Sequence, residues 1–170
     1  MNDLWSPFLI LGAAALLGGV IGLERELRGG WAGLRTHMLV AMAAAMFVLI
    51  GTDMTDASSA DLSRIIQGIA AGIGFIGAGT ILKLTGRLEI KGLTTASSIW
   101  LASAVGAACG VRLFLVAGVA ALLSLVILYA VGKLERLFPS HVQHVSPMSG
   151  EDNGKRSHDE LHTARSTHQE

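Results

Sequence analysis

The stretch Arg64–Lys83, RIIQGIAAGIGFIGAGTILK, decides the fold, because it can be read in two ways. Gly72, Gly74 and Gly77 spell G-x-G-x-x-G, the pattern of a dinucleotide-binding turn. Such a turn needs a β-strand before it, a helix opening at it, and an acidic residue about 20 positions on. The preceding LSRIIQGIAA has no strand alternation, Ser97 stands where the acid is required, and no βαβ alternation surrounds the motif. The nucleotide reading therefore gives way to a membrane helix, Ile65–Leu82, which is free of charged side chains. At about 100° per residue, Gly68, Gly72 and Gly79 share one narrow stripe, and Gln67, Ala71, Gly74 and Ala78 a second. Small residues let helix backbones approach closely, and lipid supplies no hydrophobic drive to replace that packing. Two small stripes predict a helix packed on more than one side, so this third helix is expected at the centre of a bundle.

Composition supports a membrane solvent. The chain has 170 residues, 51% apolar and only 15% charged, with a mean hydropathy of +0.54. A soluble domain carries roughly 25% charged residues. Charges gather in short segments and in a polar stretch after Pro139. A net charge of zero points to neither an acidic nor a basic partner, and the single Cys109 excludes an internal disulfide and any CxxC site.

Spanning the hydrocarbon core takes about 20 predominantly apolar residues. Besides Ile65–Leu82, the runs Ser6–Leu23, Thr36–Gly51, Leu93–Gly110 and Leu113–Gly132 approach that length. Backbone polar groups in lipid must be satisfied within the segment, so each is expected to be a helix. Pro7 falls in a first turn, where its missing N–H costs little. The first run lacks a basic flank and is long for a cleaved leader, so it reads as a retained helix. The predicted fold is an all-α polytopic membrane bundle of five transmembrane helices over residues 1–138, with a polar, disordered cytoplasmic tail at 139–170.

Lys and Arg alternate between the connections. Arg25, Arg28 and Arg35 lie in the first, Lys83, Arg87 and Lys91 in the third, and Lys133 and Arg136 open the tail. The second holds Asp53, Asp56 and Asp61 with Arg64 at its end. By the positive-inside rule the N-terminus lies outside and the C-terminus in the cytoplasm.

Packing stripes recur. Ala14, Gly18 and Gly22 repeat every fourth residue on the first helix, with Glu26 continuing the line, and Ala102, Gly106 and Gly110 do so on the fourth. Gly18, Gly22, Gly68, Gly72, Gly74, Gly77, Gly79 and Gly106 are the expected packing positions. The Leu- and Val-rich fifth helix is expected to face lipid.

Intramembrane charges are the usual mark of an ion path or proton relay, and no Asp, Glu, Lys, Arg or His is evident deep in a span. That weakens a transporter, while a pore lined by Ser97, Ser98, Ser103 and backbone carbonyls stays open. Polar groups instead gather on the expected cytoplasmic face: Glu24, Arg25, Glu26, Arg28, Arg35, Thr36 and His37 from the first connection, and Lys83, Arg87, Glu89, Lys91, Thr94 and Thr95 from the third. One reading makes them topological anchors with weak Glu–Arg pairs. The other makes them a binding site, since charge retention needs no acids and Glu24 and Glu26 are acids. Gln67, within a turn of the outer face, is either an interhelical amide bond or a ligand contact.

The segments GLERELRGGWAGLRTHMLV, RIIQGIAAGIGFIGAGTILK and IKGLTTASSIWLASAVGAACG, in this order and spacing, together resemble the MgtC/SapB family of bacterial inner-membrane proteins, over about Leu11–Phe138. The matching positions are Glu24, Arg25, Gly33, Leu34, Arg35, Thr36 and His37, then Gln67, Gly72, Gly74, Phe75, Gly77, Ala78 and Gly79, then Gly92, Leu93, Thr94, Thr95, Ala96, Trp100 and Gly106. The resemblance implies five membrane helices. It also implies a link to growth in low magnesium and to survival inside macrophages, and a regulator of the membrane ATP synthase rather than a proven magnesium transporter. Longer members end in an ACT-like cytoplasmic domain. The segment after Pro139 is too short and polar for one, so the chain looks like the short, SapB-like type, and roles that need the extra domain do not transfer.

His141, His144, His158, His162 and His168 lie in the tail, and the i, i+4 pair His158/His162 would suit Zn²⁺ or Ni²⁺ on a helix. With few apolar residues to fold around them, they read as chance members of a disordered tail. Asp53, Asp56 and Asp61 read as a solvated outer loop. No G-x-S-x-G or HExxH occurs, His37 and the loop aspartates fall on opposite sides, and no enzyme or cofactor is expected. The expected partners are membrane lipid and a membrane protein, with a homo-oligomer left open and no nucleic acid. The alternative function is a small-ion channel or transporter for Mg²⁺ or H⁺.

Overall fold

The computed structural model describes residues 5–54, 59–83 and 90–137. Helices α1 (Ser6–Leu27), α2 (Leu34–Met54), α3 (Ser59–Gly79), α4 (Leu93–Gly110) and α5 (Phe114–Leu137) follow one another. Between α3 and α4, strands β1 (Leu82–Lys83) and β2 (Ile90–Lys91) pair antiparallel, Leu82 opposite Lys91 and Lys83 opposite Ile90. The first four helices are long and apolar enough to cross a membrane, and α5 carries the apolar stretch Phe114–Ala130. The class is helical as expected, apart from this small hairpin. The tail and its histidines, Asp56, Arg87 and Glu89 lie outside the described residues.

The third helix is displaced from the expected Ile65–Leu82. It starts at Ser59, with Asp61 in the first turn, where a carboxylate favours the positive end of the helix dipole. It stops at Gly79, because the Thr80 hydroxyl (2.7 Å) and N–H (3.0 Å) both donate to the Gly77 carbonyl and turn the chain into β1. Counting apolar residues cannot see either signal.

The interior is built from small side chains. Ala14, Ala41, Ala45, Ala102, Ala117 and Ala121 are buried with Ile10, Ile21 and Val105, whereas Phe8, Leu16, Phe47, Phe75, Leu115 and Leu122 point outward. That distribution suits lipid, where large apolar residues gain nothing by hiding and small ones permit close contact. α5 shows both behaviours, with Ala117, Ala121 and Ser124 buried on one face and leucines outside.

Helix α2 is clamped from two sides. A Cβ on Gly18 of α1 would stand 2.6 Å from the His37 carbonyl oxygen and 2.6 Å from the Ala41 Cβ. On Gly22 it would meet the His37 Cβ at 2.8 Å. From the opposite side, a Cβ on Gly106 of α4 would overlap the Ala41 carbonyl, and one on Gly110 would lie 2.6 Å from the Val48 Cβ. Only glycine permits backbones this close, as the stripes on the first and fourth helices suggest.

The central position expected for the third helix is corrected. α4 occupies it, packing on each of the other four helices. Within the membrane-length windows, 56% of α4 is buried against 11% of α3. On α3 only Ile73 and Gly77 are buried among the described residues, and a Cβ on Gly68, Gly72, Gly74 or Gly79 would meet nothing within 4 Å. Gly77 makes an ordinary approach to α4, where a Cβ would lie 3.6 Å from the Ala96 Cβ. An apolar crevice of about 620 Å³ separates α2 from the middle of α3, bordered by Ala44, Phe47, Gly68 and Gly72 with Ser103 among its walls. Small residues permit close approach without choosing the partner: Ala43, Ala44 and Gly51 of α2 face this crevice as Gly68 and Gly72 of α3 do, and it stays open.

The α4–α5 turn is short. Arg112 sits at φ 63°, its N–H donates to the Cys109 carbonyl (2.8 Å), and Leu113 N–H donates to the Ala108 carbonyl (2.8 Å). This is the Schellman end of a helix with arginine where glycine is usual. The Arg112 guanidinium donates to Ser6 Oγ at 2.8 Å and so ties the turn to the start of α1.

Candidate functional site

One end of the bundle gathers the end of α1, the start of α2, the hairpin and the start of α4. The sequence LRGG closes α1. Gly29 adopts φ +70°, its N–H donates to the Glu26 carbonyl (3.1 Å), and Gly30 N–H donates to the Arg25 carbonyl (2.8 Å), a second Schellman end. Gly30 has no Cβ because one would stand 2.9 Å from the Arg25 carbonyl oxygen. This folded turn directs the chain into α2 and holds the Glu24–Arg28 turn in place.

Glu26 is exposed, and its role is local. Its Oε2 accepts the Leu34 N–H at 2.8 Å, filling one of the open donors at the start of α2. Gly33 makes room for that carboxylate, since a Cβ there would lie 2.6 Å from Oε2.

His37 is the buried centre of the site, with 0% exposure. Its Nδ1 lies 2.8 Å from the Gly33 carbonyl oxygen, and a carbonyl only accepts, so Nδ1 carries a hydrogen. Nε2 lies 3.0 Å from Ser98 Oγ on α4. The Ser98 hydroxyl is also 2.9 Å from the Thr95 carbonyl, so its single proton is placed between two acceptors. Gly22 of α1 lies directly behind the His37 Cβ. One imidazole thereby joins α1, α2 and α4.

Beside it Arg25, also buried, donates from Nε to Glu24 Oε2 at 2.6 Å and is an electrostatic neighbour of His37. Arg28 Nε lies 2.5 Å from Glu24 Oε1 as an ion pair outside hydrogen-bond alignment. The Arg28 guanidinium also sits 5.4 Å from the centre of the Tyr129 ring, a cation–π contact that links α1 to α5.

Of the residues singled out by sequence, the structure brings Glu24, Arg25, His37 and Thr95 together at this end, with Glu26 as a cap beside them. Arg35 and Thr94 are exposed here, and Thr36 is half-buried. Gln67 is elsewhere: it is exposed on α3, and its amide donates to Ser63 of the same helix at 3.2 Å. Arg87 falls outside the described residues. Ser98, weighed only as a pore-lining hydroxyl, is the partner of His37. Its position three residues after Thr95 on one helical face was the available signal. Tyr129 gave none, because nothing in the pattern of α5 separates it from its lipid-facing neighbours.

A model of the MgtC family matches residues 11–137. Protein SrpB of Synechococcus elongatus is 42% identical over 134 residues, 73% of this chain and 74% of that protein. Protein MgtC of Brucella abortus is 43% identical over 120 residues, 68% of this chain and 49% of that protein. The putative magnesium transporter YhiD of Escherichia coli K12 is 44% identical over 103 residues, 57% of this chain and 47% of that protein. The chain thus spans about half the length of the MgtC and YhiD relatives. No solved structure matches.

Proposed function

The chain belongs to the MgtC family, and from that premise we propose that it is a bacterial inner-membrane protein that regulates a membrane partner, in a response linked to magnesium limitation or intracellular survival. In this reading the N-terminus lies outside and the end carrying Arg25 and His37 faces the cytoplasm, as the Lys and Arg distribution suggests. That end meets the partner, and the large apolar side chains of α5 meet lipid.

The observation that carries a regulator over a transporter is closure beneath the polar end. Ala41, one turn below His37, is met by Gly18 on one side and by Gly106 on the other, at distances that exclude a methyl group. The buried polar cluster therefore caps a packed α1–α2–α4 core. The second reading is a small-ion transporter for Mg²⁺ or H⁺. Similarity to the putative magnesium transporter YhiD favours it, and the Ser103 hydroxyl beside the α2–α3 crevice is the feature it would use.

Flux discriminates the two. Full-length protein in liposomes, with trapped Mg²⁺ and pH dyes, is expected to give no flux above empty vesicles. Flux that Ser103→Ala abolishes would overturn the regulator and assign the crevice a transport role. The positive arm is photo-crosslinking from Arg35 and Thr94, the exposed positions of the polar end, which is expected to capture a membrane protein that Arg25→Gln no longer captures.

A further inference from the structure

We propose that the α2–α3 crevice binds a neutral, lipid-soluble carbonyl compound of the quinone class, with the Ser103 hydroxyl as its hydrogen-bond donor. This site lies apart from the polar end, so either reading can fail without the other.

Ser103 differs from the other helical serines around it. The hydroxyls of Ser97, Ser98 and Ser124 each donate to a carbonyl of their own helix, at 2.9, 2.9 and 2.7 Å. Ser103 is 3% exposed and lines the crevice, and its hydroxyl has no hydrogen-bond partner among the described residues. It is the tenth residue after Leu93 in an 18-residue helix, so it sits about 15 Å along, level with the middle of a hydrocarbon core about 30 Å thick. Lipid supplies no acceptor at that depth, and a hydrogen bond left unmade away from water costs free energy. That one donor therefore selects what fills the crevice.

The shape of the crevice excludes other occupants. Its lining runs from Val40 to Gly51 on α2 and from Ile65 to Ile76 on α3, about 16 Å, roughly half the length a spanning helix needs. The two helices meet toward both ends of it. A Cβ on Gly51 would overlap the Ile65 side chain, and toward the polar end Ile73 packs with Ala32, Ile99 and Val40. A helix from a second protein thus has no groove to lie along. Water needs roughly two to four polar partners and Mg²⁺ about six oxygens, whereas Ser103 is the one polar side chain in the lining. Phe47, Ile50 and Ile76 of the lining are also exposed, so the opening is toward lipid. A volume of about 620 Å³ is that of a small-molecule site.

The ligand that fits enters from the bilayer, is uncharged and brings an acceptor. A carbonyl oxygen accepts the Ser103 proton and brings none of its own, whereas a ligand hydroxyl would leave one proton over. The ester carbonyls of phospholipids are held at headgroup level, far from the depth of Ser103. A quinone carries ring carbonyls on an apolar chain with no charged head, and the Phe47 ring in the wall suits a flat ring.

The test uses the full chain in maltoside detergent, with decylubiquinone as the probe. Tryptophan fluorescence is the readout, since Trp100 lies one turn before Ser103 on α4. Wild-type protein is expected to show quenching that saturates. Ser103→Ala should weaken binding about three- to tenfold, the loss of one hydrogen bond. Gly72→Leu, whose Cβ starts in open space on the crevice wall, should fill the crevice and abolish the saturable component. Gly12→Leu, equally open but on α1 and outside the lining, should leave it unchanged. Decylbenzene has the ring and chain without the oxygens, and should displace the quinone about three- to tenfold less well. If Ser103→Ala elutes as aggregate, Gly72→Leu and decylbenzene supply the comparison. Quenching that never saturates, or binding unchanged in monodisperse Ser103→Ala or Gly72→Leu, overturns the quinone site. Equal displacement by decylbenzene overturns it too, and would leave a crevice that takes any apolar chain.

Discussion

Helices α1 and α4 carry glycines at four-residue spacing, and so does α3, yet the two regions use them oppositely. Gly18, Gly22, Gly106 and Gly110 admit the α2 backbone to distances no other residue permits. Gly68 and Gly72 face an open crevice. The same pattern is a lock in one place and an unfilled surface in the other. Close approach needs a small residue, but it is not enough, because α2 presents Ala43, Ala44 and Gly51 to the same crevice and the two helices still stand apart beside Gly68 and Gly72. The pattern marks helices able to pack closely without ranking them.

Substitutions can break or sharpen this contrast. The largest effect is expected from Gly106→Ala, whose methyl would overlap the Ala41 carbonyl, at a cost of about 3 kcal/mol. The measurement is reversible unfolding in mixed micelles with increasing SDS, and an unchanged midpoint would mean that α2 and α4 are not held together there. Ser98→Ala comes next. It removes the α4 partner of His37 and leaves Nε2 short of a hydrogen bond inside the lock, at a cost of about 1–2 kcal/mol on the same assay. Gly72→Ala reverses the sign, since the methyl enters open space and helix propensity improves, giving a gain of about 0.5–1 kcal/mol. A loss there would show that something packs on α3. Gly77→Ala is the smallest, expected within about 0.5 kcal/mol of wild type, because its methyl would join an ordinary 3.6 Å contact with Ala96.

Much of this architecture was legible in the chain. Apolar runs mark the helices because lipid forces each run to satisfy its own backbone. The Ala14–Gly18–Gly22 and Ala102–Gly106–Gly110 stripes are both buried. The position of α3 was not legible, since its two small stripes fit a central helix as well as an edge one. The polar end was legible as a gathering of residues but not as an arrangement. Glu26 reads as a site carboxylate and acts as a helix cap, a distinction that depends on how Gly29 and Gly30 turn the chain. His37 and Ser98 lie 61 residues apart, and only the α2–α4 contact brings them within 3.0 Å.

The Arg112 turn bears on how the protein is made. α4 is the least apolar of the four membrane-length helices, with Thr94, Thr95, Ser97, Ser98 and Ser103 along it. As a lone segment leaving the insertion machinery it would enter lipid reluctantly. The link to α5 is so short that no hydrophilic loop has to cross behind it, and the apolar α5 follows at once. Entering together as one antiparallel hairpin, the pair would let the apolar α5 offset the polar side chains of α4. The arginine at the tip, held by Ser6, then joins the last pair of helices inserted to the first.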